Sequence, residues 1–481
     1  MSVFLPLVAV HLAWTAAAAV VITRRTRNPA SAGVWLLLVA LLPAVGSLLY
    51  VLAGWHAGPH AAESVPPPAA SAAPSGASSE TGVRPRTAPD AAAPERTRSA
   101  PVGRLRRLIA RNCGTDVRLH NRVELLHNGN NAFSSLIASL QRASRSIHME
   151  YYIFRDDRIG RTIAEILMRK ARAGVEVRVI YDAFGSRGLS RKALDRLRRA
   201  GVEVRPYAPI RFPWFTPRAD RRNHRKIVVT DGKTAFLGGI NIAKYYLDGN
   251  CMGRWRDEHL RIEGDAVADL QRLFIADWER SGGCIADPSG LFAPHRIAGR
   301  LPIQIAWSEE GPARHTLAEA FAAAIVRAKH TVRLSSPYFM PPPVVLDAIR
   351  IAAHSGVRVA VMIPACSDSP LTDLVSESYV DDLLDAGVEL YRYDSGFLHA
   401  KVLVADDDTA SVGTANMDYR SLQDNLEVTA FLYGRAVVRE LAATFDRDLG
   451  RCVRIGRTDW RNRPLWRRTL GDLLRLAAPL M

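Results

Sequence analysis

The chain opens with two long apolar stretches, Val3 to Ile22 and Val34 to Gly54, and neither carries a polar face. The first has 20 residues. At ~1.5 Å per residue it reaches ~30 Å, the thickness of a bilayer core. Arg24, Arg25 and Arg27 lie in the short segment between them. The pattern predicts a transmembrane helical hairpin over residues 1–56. A cleaved leader fits less well, because no positive segment precedes the first run and a second run comes after it. The positive-inside rule puts the arginine turn in the cytoplasm and the remainder of the chain outside it, since the next Lys or Arg is Arg84. Residues 57–104 are then dominated by Pro, Ala, Ser and Gly, as in Val65-Pro66-Pro67-Pro68. Such a composition buries no core and predicts a disordered tether reaching ~35–40 Å.

From about Leu105 the pattern changes to short apolar runs alternating with amphipathic stretches, and it repeats. Ser146–Phe154, Val175–Tyr181 and Ala200–Val204 read as strands with helices between them. Thr331–Ser335, Val357–Ile363 and Ala386–Leu390 come in the same order in the second half. This predicts an α/β fold of two duplicated lobes, 105–300 and 301–481, related by a pseudo-two-fold axis and built on largely parallel sheets. The second lobe would end in a C-terminal helix.

Charge narrows the partners. The net charge is +16, which points to anionic ligands such as lipid headgroups, nucleic acid or phosphorylated molecules without choosing among them. The five cysteines are widely spaced and form no C-x-x-C pair, so they give no zinc signature.

The repeat is sharpest at His224-Arg-Lys-Ile-Val-Val-Thr-Asp231 and His399-Ala-Lys-Val-Leu-Val-Ala-Asp406. Both copies continue with Thr-Ala, then Gly238 or Gly413, then Asn241 or Asn416, every position 175 residues from its partner. Chance would give roughly 0.02 occurrences of His-x-Lys-x4-Asp in such a chain. Strand alternation puts His224 and Lys226 on one side, and likewise His399 and Lys401. Two facing copies would surround one phosphate with two imidazoles and two ammonium groups. Lysine holds phosphate as a point charge, and histidine serves as nucleophile or general acid near neutral pH. His-x-Lys is poor metal spacing, because the ammonium repels a metal ion. Asn241 and Asn416 are candidate hydrogen-bond donors to the phosphate.

These residues resemble the phospholipase D superfamily, marked by two H-x-K-x4-D motifs, and within it the bacterial cardiolipin synthases. Outside the tether the likeness runs nearly end to end. It includes Arg27–Ser31 and Leu41–Gly46 in the hairpin, and Glu150–Phe154, Asn223–Lys226, Gly238–Asn241 and Trp255–His259 in the first lobe. In the second lobe it covers Ser367–Ser369, Gly413–Asp418, Arg420-Ser421 and Asn425–Glu427. The resemblance implies transfer of a phosphatidyl group between two phosphatidylglycerol molecules, releasing glycerol, at a cell membrane. It implies neither metal nor nucleotide cofactor and no nucleic-acid partner. His224 would be the nucleophile forming a phosphohistidine, and His399 the acid and then the base. Asp257 and Glu427 would each orient an imidazole, and Asp231 and Asp406 would brace the site. One departure stands out: the superfamily often has Ser after the motif glycine, whereas this chain has Gly239 and Thr414, so a hydroxyl is available only from Thr414.

The alternatives are a phospholipase D that hydrolyses or transphosphatidylates other lipids, a nuclease of the same superfamily, and an inactive membrane scaffold. The apolar hairpin argues against the nuclease, and two intact motifs argue against the scaffold. Two further segments suit a lipid substrate: the first equally suits a structural plug, and the second suits packing on a lobe better. One is Pro209–Pro217, with Arg211, Phe212, Trp214 and Phe215 followed by Arg218. The other is Leu465–Leu480, with leucines at helical spacing and Arg467, Arg468 and Arg475.

Overall fold

The computed structural model describes residues 4–25, 29–51, 100–209, 221–295, 297–309 and 315–480. Arg27 in the basic turn, the tether as far as residue 99 and the aromatic-basic loop at 210–220 lie outside the described residues.

Phe4–Arg25 is a single helix. The second apolar run, expected as one helix, is two: Pro29–Leu41 and Pro43–Leu49. The break falls at Leu42, whose φ is −135° and ψ 72°. Pro43 causes it, because a proline disfavours helical geometry in the residue before it and offers no N–H. Among the described residues no helix is long and apolar enough to cross a membrane. The helices pack on one another through Ile22, Trp35, Val39 and Tyr50, and Trp14 Nε1 donates to Ser47 Oγ at 2.8 Å. Val10, Leu12, Leu37, Leu41 and Leu48 face outward and are more than half exposed.

Fifteen strands form one continuous sheet through both lobes. In the first lobe Ser146–Tyr151, Glu176–Asp182 and Glu203–Tyr207 run parallel. Their crossovers are the helices Arg158–Arg172 and Arg191–Arg199. Thr331–Ser335, Arg358–Pro364 and Glu389–Tyr393 repeat the arrangement in the second. The rest of the sheet is antiparallel, so it is mixed rather than largely parallel. The reason is local: each motif strand turns straight back on itself. Lys226–Thr230 pairs with Thr234–Gly238, and Val402–Ala405 with Thr409–Gly413. Asp231 (φ 55°), Gly232 (φ 63°) and Asp406 (φ 54°) take the left-handed conformation these tight turns need.

Arg118–His127 and Leu301–Trp307 join the lobes antiparallel at the middle of the sheet. A shared core lies against this seam, with Ile227, Val229 and Leu260 from one lobe and Val402, Val404 and Val428 from the other. The first lobe was expected to begin at residue 105, after a disordered tether; a helix, Ala100–Cys113, spans that boundary. Its Leu105, Ile109 and Cys113, spaced by four, pack instead with Leu317, Phe321 and Ile325 of the second. Asn112 fixes it there with a 2.8 Å bond to Glu319.

Behind the first motif, Arg225 is fully buried and ion-paired with Asp277. Its Nη2 donates to Ser308 O at 2.6 Å and its Nε to Glu427 O at 3.3 Å. Removing one partner of such a pair leaves an uncompensated buried charge and costs about 3–5 kcal/mol. Asp277→Ala should therefore lower the thermal unfolding midpoint of the detergent-solubilised chain well beyond what an exposed substitution such as Asp195→Ala does.

Candidate active site

Both motif histidines sit where backbone from one lobe docks on the other. His224 N donates to Leu426 O at 2.9 Å, beside a bridge between Asn223 and Leu426. His399 N donates to Arg256 O at 2.7 Å, continuing the parallel pairing of Phe397–Leu398 with Trp255–Arg256. Each histidine is thereby set beside a carboxylate of the opposite lobe. His224 Nδ1 is 2.8 Å from Glu427 Oε1, and His399 Nδ1 is 2.7 Å from Asp257 Oδ2. A carboxylate on Nδ1 fixes that nitrogen as the donor and leaves Nε2 for chemistry.

The lysines complete the cluster. Lys226 Nζ donates to His224 O at 2.7 Å, and Lys401 Nζ lies 2.9 Å from His399 Nδ1. Tyr152 stands edge-on to His224 at 4.9 Å, and Trp255 covers His399 at 5.1 Å. The His224 side chain keeps 12% exposure and the His399 side chain 8%, so both are nearly buried.

Thr414 and Gly239 make the halves unequal. Thr414 Oγ1 donates to the second oxygen of Glu427 and accepts the Val428 N–H at 3.0 Å. The hydroxyl thus holds the carboxylate that holds His224. A Cβ at position 239 would collide with both carboxylate oxygens of Asp257, so glycine there is what lets Asp257 reach His399. Gly239→Ala should displace Asp257 and lower kcat by about 10–100-fold, the usual effect of disturbing an orienting group, and it should also lower the unfolding midpoint, because the carboxylate it displaces is buried.

The two asparagines also differ. Asn241 Oδ1 accepts the Ile153 N–H at 3.1 Å and its Nδ2 donates to Tyr246 Oη at 2.9 Å. It therefore braces the tyrosine whose hydroxyl stands 3.5 Å from His399 Nδ1. Asn416 is buried beside Asp418, and its Oδ1 has no hydrogen-bond partner. Asp231 and Asp406 lie at the far ends of their strands, ~17 Å along the chain from the lysines at ~3.4 Å per residue. Asp231 accepts the N–H groups of Ser144, Arg145 and Ser146. Asp406 accepts those of Lys329, His330 and Thr331. Each pins the turn that leads into the strand next to the motif.

Burial sets the charges. It drives His224 down to about 4 against the pull of Glu427, and it drives His399 well below its ordinary value, helped by Lys401 and Lys226. Burial also lowers Lys226 to about 7 and Lys401 to about 8. The two carboxylates part company. Burial raises Asp257 to about 6. At Glu427 burial is outweighed by His224, Lys226 and the Thr414 hydroxyl, so the carboxyl stays below its usual range. Lys401 acts on His224, and Lys226 and His224 act on His399, so both motifs share one field.

Sequence reasoning gave no role to Arg222, Asp182, Arg225, Tyr152 or Tyr246. Asp182 pairs with Arg222 at 2.9 Å and accepts the Asn223 N–H at 3.1 Å, anchoring the motif's approach. A signal for Asp182 was present, an acid closing an otherwise buried strand, but nothing in the sequence linked it to residue 222. Among the described residues, the one grouping of His and acidic side chains close enough to share a metal ion is His120, Asp265 and His295. It contains no motif residue.

The family model described as cardiolipin synthase, PLD-like domain, matches residues 136–278 and 321–449. The chain belongs to the cardiolipin synthase family of phospholipase D-like proteins. The cardiolipin synthase of Geobacillus kaustophilus is 38% identical over 96% of this chain and 91% of its own length. The major cardiolipin synthase of Bacillus subtilis is 37% identical over 75% of this chain and 76% of its own. Membership of the cardiolipin synthase family makes the chain a phosphatidyltransferase. Residues 12–55 match a further model, phospholipase D-nuclease N-terminal. Among solved structures, phosphatidylserine synthase of Haemophilus influenzae superimposes with a TM-score of 0.61 at 15% identity, covering 79% of this chain and all of that one. That likeness establishes the shared two-lobed fold.

Proposed function

We propose that this cardiolipin synthase joins two phosphatidylglycerol molecules through a covalent intermediate on His224. Nε2 of His224 attacks the phosphorus of the first lipid. The bond from phosphorus to the glycerol headgroup breaks, and His399, which takes up a solvent proton on Nε2 when the anionic phosphodiester enters between the two motifs, gives that proton to the departing oxygen. Glycerol leaves a phosphatidyl-histidine behind. The headgroup hydroxyl of the second lipid then gives its proton to His399 and attacks the same phosphorus, which releases cardiolipin and restores His224. Lys226 and Lys401 stabilise the charge on the phosphoryl oxygens throughout.

The observation that carries this reading is the crossed pairing of two imidazoles with two carboxylates between two lysines. The unequal carboxylates support the assignment of roles. Glu427, held ionised by His224, Lys226 and the Thr414 hydroxyl, suits a histidine that becomes cationic on phosphorylation. Asp257, raised to about 6, suits one that passes a proton back and forth. The outward leucines of the N-terminal helices support a further part of the proposal: this segment anchors the enzyme in the membrane that holds its substrate.

The test is incubation of the purified protein with phosphatidylglycerol vesicles and mass spectrometry of the products. Cardiolipin with an equal amount of glycerol is expected. Phosphatidic acid in its place would make water the acceptor and the chain a hydrolase. The pH profile adds a second check. Rising pH removes the ammonium charge of Lys226 near 7 and Lys401 near 8 in the free enzyme. The value of kcat/KM should therefore begin to fall above about pH 7 and fall more steeply above about pH 8, while kcat should hold to higher pH because the bound phosphate keeps both lysines charged.

A further inference from the structure

The C-terminal helix Leu465–Arg475 packs on the second lobe through one side only. Arg467 pairs with Glu377 at 2.8 Å and Arg475 with Asp382 at 2.7 Å. Between them Gly471 brings the helix so close to Leu374 that a Cβ would stand 3.0 Å from its carbonyl oxygen. The other side is a row of apolar groups with nothing over them. Leu465 is 74% exposed, Trp466 65%, Leu473 63% and Leu476 58%, with Leu470 at their border. At 100° per residue these five fall in one sector of about 140° that also holds Thr469, bordered on one side by Asp472 and Arg468 and on the other by Leu474 and Arg467. A soluble surface does not keep four large apolar side chains on one helix face in water without a use for them.

Two contacts indicate what covers that face. The helix rests on Pro370–Glu377, whose approach carries Asp368. Asp368 accepts a hydrogen bond from Tyr338 and acts electrostatically on Lys401 of the second motif. The helix therefore lies one element away from the active site. The chain then ends in a short turn, Ala478–Leu480, packed beside the apolar helix Pro29–Leu41. The C-terminal turn that follows the helix thus meets the apolar N-terminal helices.

We infer that Leu465, Trp466, Leu470, Leu473 and Leu476 form an interfacial lipid-binding surface that lies in the plane of the substrate bilayer and holds the second lobe, with its active-site edge, against it. The inference rests on the reading of the chain as a membrane-anchored lipid enzyme and adds a second contact point to it. A helix of this kind sinks its apolar face to the headgroup boundary and leaves its charged face to the protein. The net charge of +16 favours an anionic lipid surface, the same surface that presents phosphatidylglycerol.

The experiment places an environment-sensitive fluorophore at Leu473→Cys in the full chain, with the exposed Cys251, Cys284 and Cys366 replaced by serine. The carrier is mixed phosphatidylglycerol–phosphatidylcholine vesicles, some with brominated acyl chains. A label at Val10→Cys, on the N-terminal helix, is the control. Expected is a blue-shifted Leu473 label quenched by brominated lipid and shielded from aqueous iodide. A Leu473 label open to iodide, in protein whose Val10 label is quenched by lipid, overturns the inference and leaves the N-terminal anchor standing. The reverse pattern removes the anchor and leaves the inference. The double variant Leu470→Asp/Leu473→Asp changes exposed or border positions and is expected to keep the parent's unfolding midpoint. It should lose about 10-fold or more of its activity on vesicles while retaining turnover of monomeric short-chain phosphatidylglycerol. Equal loss on both substrates would show a structural role and overturn the inference.

Discussion

His224→Ala should lower cardiolipin formation by at least ~10⁴-fold, as removal of an attacking nucleophile does elsewhere. His399→Ala should be about as severe in steady state and yet differ in kind. Without His399 the departing glycerol must take its proton from water, and general acid–base help of this sort is worth ~10²–10⁴-fold. Nε2 of His224 is untouched, so a phosphatidyl-enzyme still forms slowly. It then persists, because the base for the second half of the reaction is also missing. Rapid quench with phosphatidylglycerol labelled in an acyl chain should trap protein-bound lipid in the His399→Ala chain and none in the His224→Ala chain. The opposite pattern would exchange the roles of the two histidines.

Glu427→Gln should cost ~10³–10⁴-fold in kcat, comparable to replacing the orienting acid of a serine protease by its amide. Glutamine keeps the shape but loses the charge. Its amide nitrogen, turned toward His224, no longer fixes Nδ1 as the donor, and the imidazolium formed on phosphorylation loses its counter-ion. Thr414→Val should weaken the same interaction less, because the carboxylate remains and only the hydroxyl that holds it is gone. Measured as kcat on phosphatidylglycerol vesicles, the expected order is parent, then Thr414→Val, then Glu427→Gln. If Thr414→Val matched Glu427→Gln, the hydroxyl would have a role beyond holding the carboxylate.

The doubled motif was legible because it combines residue identity with spacing, and strand alternation turns spacing into direction. Alternation alone groups His224 with Lys226 and His399 with Lys401. The pairing of Asp257 with His399 and of Glu427 with His224 was not legible. Both acids come after their own motif in sequence, and only the docking of Trp255–Arg256 on Phe397–Leu398 and of Leu426 on Asn223 carries them across to the other lobe. The mixed sheet was half visible. Asp231-Gly232 is a hairpin signal, whereas Asp406-Asp407-Asp408 in the second copy is not, although Asp406 adopts the same left-handed turn. Pro43 was in plain view inside the second apolar run, where uniform hydropathy hid the break it makes.

Neither lobe holds a complete histidine–carboxylate pair, so half of this protein expressed alone would be inert however well it folded. A symmetric assembly of two identical halves would supply the missing partners. Its single gene, however, would have to place the same residue at positions 239 and 414. Joining the halves in one chain lifts that constraint. Threonine can then tether one carboxylate while glycine makes room for the other, and the two turns of the reaction can be tuned separately by inheritance.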